Sequence, residues 1–284
     1  MTREGAWLEP GTVGDVLRRS TEHLAEEGSE TPRLDAELLL AHALGVQRIE
    51  LYMHLDRPLG QRELDDARAL VARRAAREPL QYVLGEWGFR RLTLAVDRRA
   101  LIPRPETEIV VERCLALLDG VEEPRILDVG TGSGAIALAI ADEHAGAAVT
   151  GIDVSHEALA LARENAARTG LAIELVEHDL FDGLPAGPWE LVVSNPPYVD
   201  PADRAALASE VRDWEPSTAL YSRDAVDAVA HAAVTVLADG GALVLEVGDG
   251  QAEAVSRVLA SLGYTDVDVT PDLAGRDRVV EGRR

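Results

Sequence analysis

At 284 residues, 46% of them apolar, the chain is long for one domain, comfortable for two, and ordinary in composition for a globular protein. Its net charge of −22 is unevenly spread: residues 1–80 hold 15 acids and 11 arginines, residues 81–103 hold 2 and 4, and residues 104–284 hold 33 and 13. So acidic a C-terminal part excludes the basic face that duplex nucleic acid requires, no run approaches the roughly 20 apolar residues that span a bilayer, and the N-terminus lacks a signal-peptide core; the expected setting is cytoplasmic, with no direct nucleic-acid or membrane partner.

In chain order, the apolar spacing predicts helices over 13–27, 32–44, 49–55 and 61–77, divided by Gly28, Gly45 and Pro58. They make a helical domain over 1–80 that carries no chemistry of its own. Residues 81–103 alternate over shorter stretches around Gly85, Gly88 and Arg90, which predicts a β-hairpin connector. From 104 to 284 strands and helices alternate, with strands expected at 125–129, 148–153, 172–178, 190–195, 241–247, 264–270 and 277–282. That alternation predicts an α/β fold with a doubly wound seven-stranded sheet. A short turn through Gly275 joins the last two strands, so the final one runs antiparallel to its neighbour. Cys114 falls in an amphipathic helix and reads as a small core residue, and the seven histidines show no metal-ligand spacing, so no metal site is expected.

Two motifs carry chemistry. Strand 125–129 runs into Gly130-Thr131-Gly132-Ser133-Gly134, where three glycines let the backbone turn sharply beside the positive end of a helix. Asp153 closes the next strand at about the distance where doubly wound folds place an acid for ribose hydroxyls. The glycine spacing is not that of a pyrophosphate fingerprint, and Asp128 within it repels a pyrophosphate but suits an ammonium. S-adenosylmethionine therefore fits better than NAD; a solvated or capping carboxylate is the alternative reading of Asp128. The second motif, Asn195-Pro196-Pro197-Tyr198, follows the apolar run Leu191–Val193. Two prolines supply no N–H, which leaves the Pro196 carbonyl free to point outward, and Asn195 offers a side-chain acceptor beside it. With the Tyr198 ring against a flat face, the two acceptors can hold a planar NH2 group for methylation at nitrogen, although Asn-Pro alone is also simple turn punctuation.

With Pro79–Gly85 and Phe89, the run Leu101-Ile102-Pro103-Arg104-Pro105-Glu106-Thr107-Glu108, the glycine turn, the Asn-Pro-Pro-Tyr tetrad, Glu215-Pro216 and 272–278, the chain resembles the HemK/PrmC family of protein-glutamine methyltransferases over most of its length. The resemblance implies a class I S-adenosylmethionine-dependent methyltransferase fold, with the domain 1–80 docking a protein substrate. It implies methylation of the glutamine in the Gly-Gly-Gln loop of peptide chain release factors, in support of translation termination. It also implies that Asn195, Pro196 and Tyr198 are catalytic and, with Pro197, hold the substrate. Gly130, Thr131, Gly132, Ser133 and Gly134 would cradle the methionine part, with Asp128 at its ammonium, Asp153 at the ribose, Asp179 and Leu180 at the adenine, and Asn195 close to the cofactor too. Arg104, Pro105 and Glu106 would shape the entrance, or Arg104 and Glu106 form a structural ion pair. The chain departs from the family where Tyr221-Ser222-Arg223-Asp224 replaces a glycine-rich stretch, and where Leu180 replaces an aromatic ring. A glutamine methyltransferase for a ribosomal protein shares the tetrad, as does an adenine-N6 DNA methyltransferase acting on a flipped base, and a non-catalytic cofactor-binding partner is a further alternative.

Overall fold

The computed structural model describes residues 10–284. Two compact units result: the described residues up to Gly85 together with Ala208–Trp214, and Glu86–Leu207 with Glu215–Arg284.

The first unit is helical. Helix α1 (Val13–Glu26) begins where Thr12 Oγ1 accepts from the Asp15 amide at 3.2 Å while the Asp15 carboxylate accepts from the Thr12 amide at 3.1 Å, a reciprocal cap. Helix α2 (Pro32–Leu44) starts on a proline and ends at Gly45 with φ of 63°. The third helix, expected over 49–55, is only α3 (Arg48–Leu51). After Leu51 the amides bond three residues back, Met53 to the Glu50 carbonyl at 3.1 Å and His54 to that of Leu51 at 3.2 Å, so the α pattern ends; the carbonyls of Leu55 and Arg57 then accept from the first amides of α1, Gly14 at 2.9 Å and Val13 at 2.8 Å. Helix α4 (Gln61–Ala75) packs with α1 and α2 around Val13, Leu17, Leu39, Leu40, Leu64 and Val71, all withdrawn from water, each worth about 1.5–3 kcal/mol relative to an exposed position. Helix α5 (Leu80–Leu84) occupies residues expected to open the connector. Leu80, Tyr82 and Val83 are all buried, and a strand would have turned 82 and 83 to opposite sides. A polar cluster binds the later segment into this unit: Arg74 on α4 donates to Asp35 on α2 at 2.7 Å and to Glu210 at 3.1 Å, and Arg77 donates to Glu210 at 2.7 Å. The helix Ser209–Trp214 that carries Glu210 is α9 in chain order.

The second unit opens with an antiparallel hairpin, β1 (Glu86–Phe89) on β2 (Leu92–Ala95), Glu86 opposite Ala95. The hairpin is thus confined to the middle of the expected connector. A seven-stranded sheet follows: β3 (Arg125–Val129), β4 (Ala148–Asp153), β5 (Glu174–Glu177), β6 (Trp189–Ser194), β7 (Leu237–Glu246), β8 (Thr265–Pro271) and β9 (Asp277–Arg283). Its order is β5-β4-β3-β6-β7-β9-β8, parallel except that β9 runs antiparallel to β7 and β8. Strand β7 starts four residues earlier than its hydrophobic run because Leu237 pairs with Trp189 across a register shift. Helices α6 (Thr107–Leu117), α7 (Ala135–Glu143), α8 (His156–Thr169), α10 (Ser217–Leu220), α11 (Ala225–Ala233) and α12 (Ala252–Ser261) complete the unit. Apolar clusters cover both sheet faces, one with Val110, Cys114, Ile140 and Val193, the other with Val192, Val229, Leu243 and Leu259. Burial raises the Cys114 thiol well above its ordinary range, as a core thiol requires. Among the described residues no helix is long and apolar enough to cross a membrane.

Candidate active site

Chain order reverses between β3 and β6: β4 and β5 lie to one side, β6 and β7 to the other. At such a switch point the loops leaving the strands diverge and a crevice opens beyond their carboxyl ends. Here it is a cavity of about 390 Å³, within the range of small-molecule sites. Residues of the glycine turn after β3 and the first three of the tetrad after β6 both line it.

The turn is held by its own backbone, with the Gly130 and Thr131 amides donating to the Ile152 carbonyl at 2.8 and 2.9 Å. Gly130 and Gly132 have φ of 72° and 56°, a region costly for any side chain. A Cβ at Gly130 would meet nothing within 4 Å and one at Gly132 only Ala100 and the Gly130 carbonyl at 3.9 Å, so both face open space. Thr131 and Ser133 also line the cavity. Gly134 does not: a Cβ there would stand 3.3 Å from Ala162 and Leu138, so this glycine admits α8 and caps α7 instead of touching a ligand. Asp128 is wholly buried beneath the turn and is not a solvated carboxylate. Its Oδ2 accepts the Thr131 hydroxyl at 2.6 Å, and its Oδ1 has no hydrogen-bond partner among the described residues. Burial pushes this carboxyl up to about 7, against the Thr131 bond.

Asp153, at the end of β4, accepts from the Gly132 amide at 2.9 Å and the Ser155 amide at 2.8 Å, one on each oxygen. Each oxygen keeps a lone pair. Burial raises this carboxyl while those amide bonds draw it back. Asp179 and Leu180 lie in the wall, with Asp179 capping a 3-10 turn through the Phe181 amide at 2.9 Å. Phe181 lines the cavity at 66% exposure, so an aromatic ring is present one position after Leu180.

Asn195, Pro196 and Pro197 also border the cavity. Asn195 Nδ2 donates to Thr107 Oγ1 at 3.3 Å. Among the described residues no donor reaches Asn195 Oδ1 or the Pro196 carbonyl. Tyr198 is not in the wall: its hydroxyl stands 3.5 Å from Glu246 Oε1 and its ring against Gly248, while its carbonyl takes Gln251 Nε2 at 3.0 Å. Arg104 reaches the cavity and pairs with buried Glu215, not with Glu106. Glu215 also accepts from the Ile102 amide at 3.2 Å, which ties the Pro-Arg-Pro run to Glu215-Pro216. Glu106 stands at the start of α6, half-buried and outside the cavity wall.

Sequence reasoning missed several residues that build this site. Asn165 on α8 is completely buried and accepts from the Ala95 amide at 2.7 Å while donating to the carbonyls of Ala95 and Ser133 at 3.1 and 3.0 Å. It joins the hairpin to the glycine turn. Thr107, itself in the cavity wall, accepts from Asn195 and donates to buried Glu246. The divergent 221–224 stretch puts Tyr221 in the cavity wall, bridged through its backbone to Val199, with Arg223 paired to Asp200. Thr107 carried a sequence signal inside the Pro-Arg-Pro-Glu-Thr-Glu run and 221–224 one as a departure from the family, whereas Asn165 and Glu246 carried none.

The strand order, the reversed β9, the glycine turn and the acid ending β4 define a class I methyltransferase unit. Solved structures agree at the level of fold: the hMettl16 catalytic domain has 17% identity, a TM-score of 0.56 and coverage of 75% of this chain and 81% of that one. A T. thermophilus 16S rRNA methyltransferase has 17% identity and a TM-score of 0.52, covering 70% and 49%. Residues 15–85 match the PrmC N-terminal domain and residues 108–211 the Methyltransferase small domain. A release factor glutamine methyltransferase of Geobacter sulfurreducens is 44% identical over 96% of both chains, and one of Deinococcus radiodurans is 46% identical over 95% of this chain and 98% of that one. The chain belongs to the release factor glutamine methyltransferase family.

Proposed function

We propose that the protein transfers a methyl group from S-adenosylmethionine to the side-chain amide nitrogen of the glutamine in the Gly-Gly-Gln motif of peptide chain release factors. The observation that carries this reading is the pair of acceptors without a donor among the described residues, Asn195 Oδ1 and the Pro196 carbonyl, in the cavity that the glycine turn also lines. The residues present fit the cofactor. Gly130 and Gly132 leave room for its methionine part, and Asp128, buried beneath the turn and outside the cavity wall, keeps an Oδ1 without a hydrogen-bond partner among the described residues. Asp153 keeps two lone pairs for vicinal hydroxyls, and Leu180 with Phe181 provides apolar cover for a purine. When bound, S-adenosylmethionine supplies an electrophilic methyl on a sulfonium and leaves as S-adenosylhomocysteine.

An amide nitrogen is a poor nucleophile because its lone pair is shared with the carbonyl. Asn195 Oδ1 and the Pro196 carbonyl accept its two N–H bonds, orient the nitrogen toward the cofactor side of the cavity, and stabilise positive charge as the N–C bond forms. One proton then leaves to water. Tyr198, outside the cavity wall, ties the tetrad to Glu246 and Gln251. In the first unit Ile49 on α3 and Met53 just beyond its end expose 65% and 70% of their surface, apolar side chains of the kind that meet protein partners; this unit docks the release factor. The acidic second unit favours such a partner over DNA. Incubation with isotope-labelled S-adenosylmethionine and a purified release factor, followed by peptide mass mapping, should place one methyl group on the Gly-Gly-Gln glutamine. Label elsewhere, or none, overturns the assignment.

A further inference from the structure

Asn195 joins a chain of polar groups that starts at Thr107, which also lines the cavity, and runs on to buried Glu246 and to Tyr198; neither the cofactor nor the substrate accounts for it. Asn195 Nδ2 meets Thr107 Oγ1 at 3.3 Å, Thr107 Oγ1 donates to Glu246 Oε2 at 2.7 Å, and Glu246 Oε1 faces the Tyr198 hydroxyl at 3.5 Å. Thr107 is 4% exposed and Glu246 1%. A carboxylate this far from water is costly to keep, and nothing in methyl transfer as described above uses it.

The hydrogen count gives it a role. A threonine hydroxyl has one hydrogen and two lone pairs. While Glu246 is ionised it can only accept, so the Thr107 hydrogen points to Oε2 and Thr107 can only accept from Asn195. The Asn195 amide must then turn its NH2 inward and its Oδ1 to the cavity. If Glu246 holds a proton, its O–H can donate to Thr107, the Thr107 hydrogen is released toward Asn195, and the flipped amide is satisfied equally well. Flipped, the amide presents NH2 to a substrate NH2, donor against donor. We propose that Thr107 and Glu246 are positioning residues that select which end of the Asn195 amide meets the substrate, and that they do so only while Glu246 is ionised. This rests on the reading of the tetrad as an acceptor of a substrate NH2.

The surroundings place that proton within reach of neutral solution. Burial raises the Glu246 carboxyl to about 7. The bond from Thr107, the Arg278 guanidinium on β9 and the contact with Tyr198 oppose the rise, while Glu106 at the start of α6 adds to it. Arg278 is itself fixed by Asp272 at 3.2 Å. Tyr198, raised to about 12 by burial, stays neutral throughout.

Two readouts test the inference. The side-chain amide resonances of Asn195, followed through a pH titration of the isotope-labelled protein without cofactor or substrate, should show one step that disappears in Glu246→Gln. A pH-independent Asn195 amide in the wild type, or the same step in Glu246→Gln, overturns the proposal. On the release factor, Thr107→Val should lower kcat by about tenfold, the worth of one orienting hydrogen bond, with KM changed by less than about twofold. Thr107→Ser should restore most of that rate, because the hydroxyl and not the methyl group is at issue. Equal rates for Thr107→Val and wild type also overturn it. If the wild type leaves the release factor unmodified, the proposed function falls while the resonance titration still decides this point.

Discussion

Asp128 and Asp153 are both raised by burial, yet they serve the site differently, and single substitutions separate them. Asp153→Ala removes a charged acceptor already aimed by two backbone amides, so cofactor binding should weaken by about 1.5–3 kcal/mol; an unchanged dissociation constant in calorimetric titration contradicts the ribose role. Asp128 carries a stability cost. Its carboxyl titrates at 3.8 in the ordinary case and at about 7 in the fold, so the native state holds a proton that the unfolded chain has already released. The stability this contributes is present at low pH and is lost as pH rises through that window. Asp128→Asn keeps an acceptor for Thr131 and removes the charge. It should therefore raise the melting temperature relative to wild type by at least about 2–4 °C near pH 8, with a smaller gain near pH 5, and weaken cofactor binding. An equal gain at both pH values contradicts the account. None of this burial was legible beforehand: the glycine turn announced Asp128 as a ligand for an ammonium, but only the fold shows it covered, with Oδ2 spent on Thr131.

Periodicity made the elements legible where one face is buried and failed where pairing or capping decides. Strands β3 and β4 and helix α2 fall on the expected residues. The early start of β7 needed knowledge of its partner Trp189. The early end of α3 lies in amides that bond three residues back, for which apolar spacing carries no signal. Helix α8 shows what tertiary polar contacts add, since Asn165 looked like an ordinary helix position. Asn165→Ala would orphan the Ala95 amide and relieve two carbonyls of their donor, which should cost about 2–4 kcal/mol in urea unfolding. Because Ser133 belongs to the glycine turn, cofactor affinity should fall with it. A loss below about 1 kcal/mol contradicts the bridging role.

At the scale of the whole molecule, the boundary drawn at residue 80, where helical spacing gives way to shorter alternation, falls inside a helix, for the N-terminal unit continues to Gly85 and takes in Ala208–Trp214. No local signal marks that later segment; it joins through Arg74 and Arg77 clasping Glu210. Removing residues 1–80 would strip Glu210 of both partners, so docking is better probed at the surface. Ile49→Asp with Met53→Asp, at exposed positions, should raise KM for an intact release factor severalfold and leave turnover of a short Gly-Gly-Gln peptide unchanged. A parallel loss on both substrates contradicts docking through this face. The central claim, that Asn195 and Pro196 hold the reacting nitrogen, is tested most directly by single-turnover methylation of a release factor with cofactor saturating. Asn195→Ala should be slower than wild type by about 2.7–4 kcal/mol in barrier, roughly a hundredfold or more, with cofactor affinity retained; a rate within about threefold of wild type contradicts it.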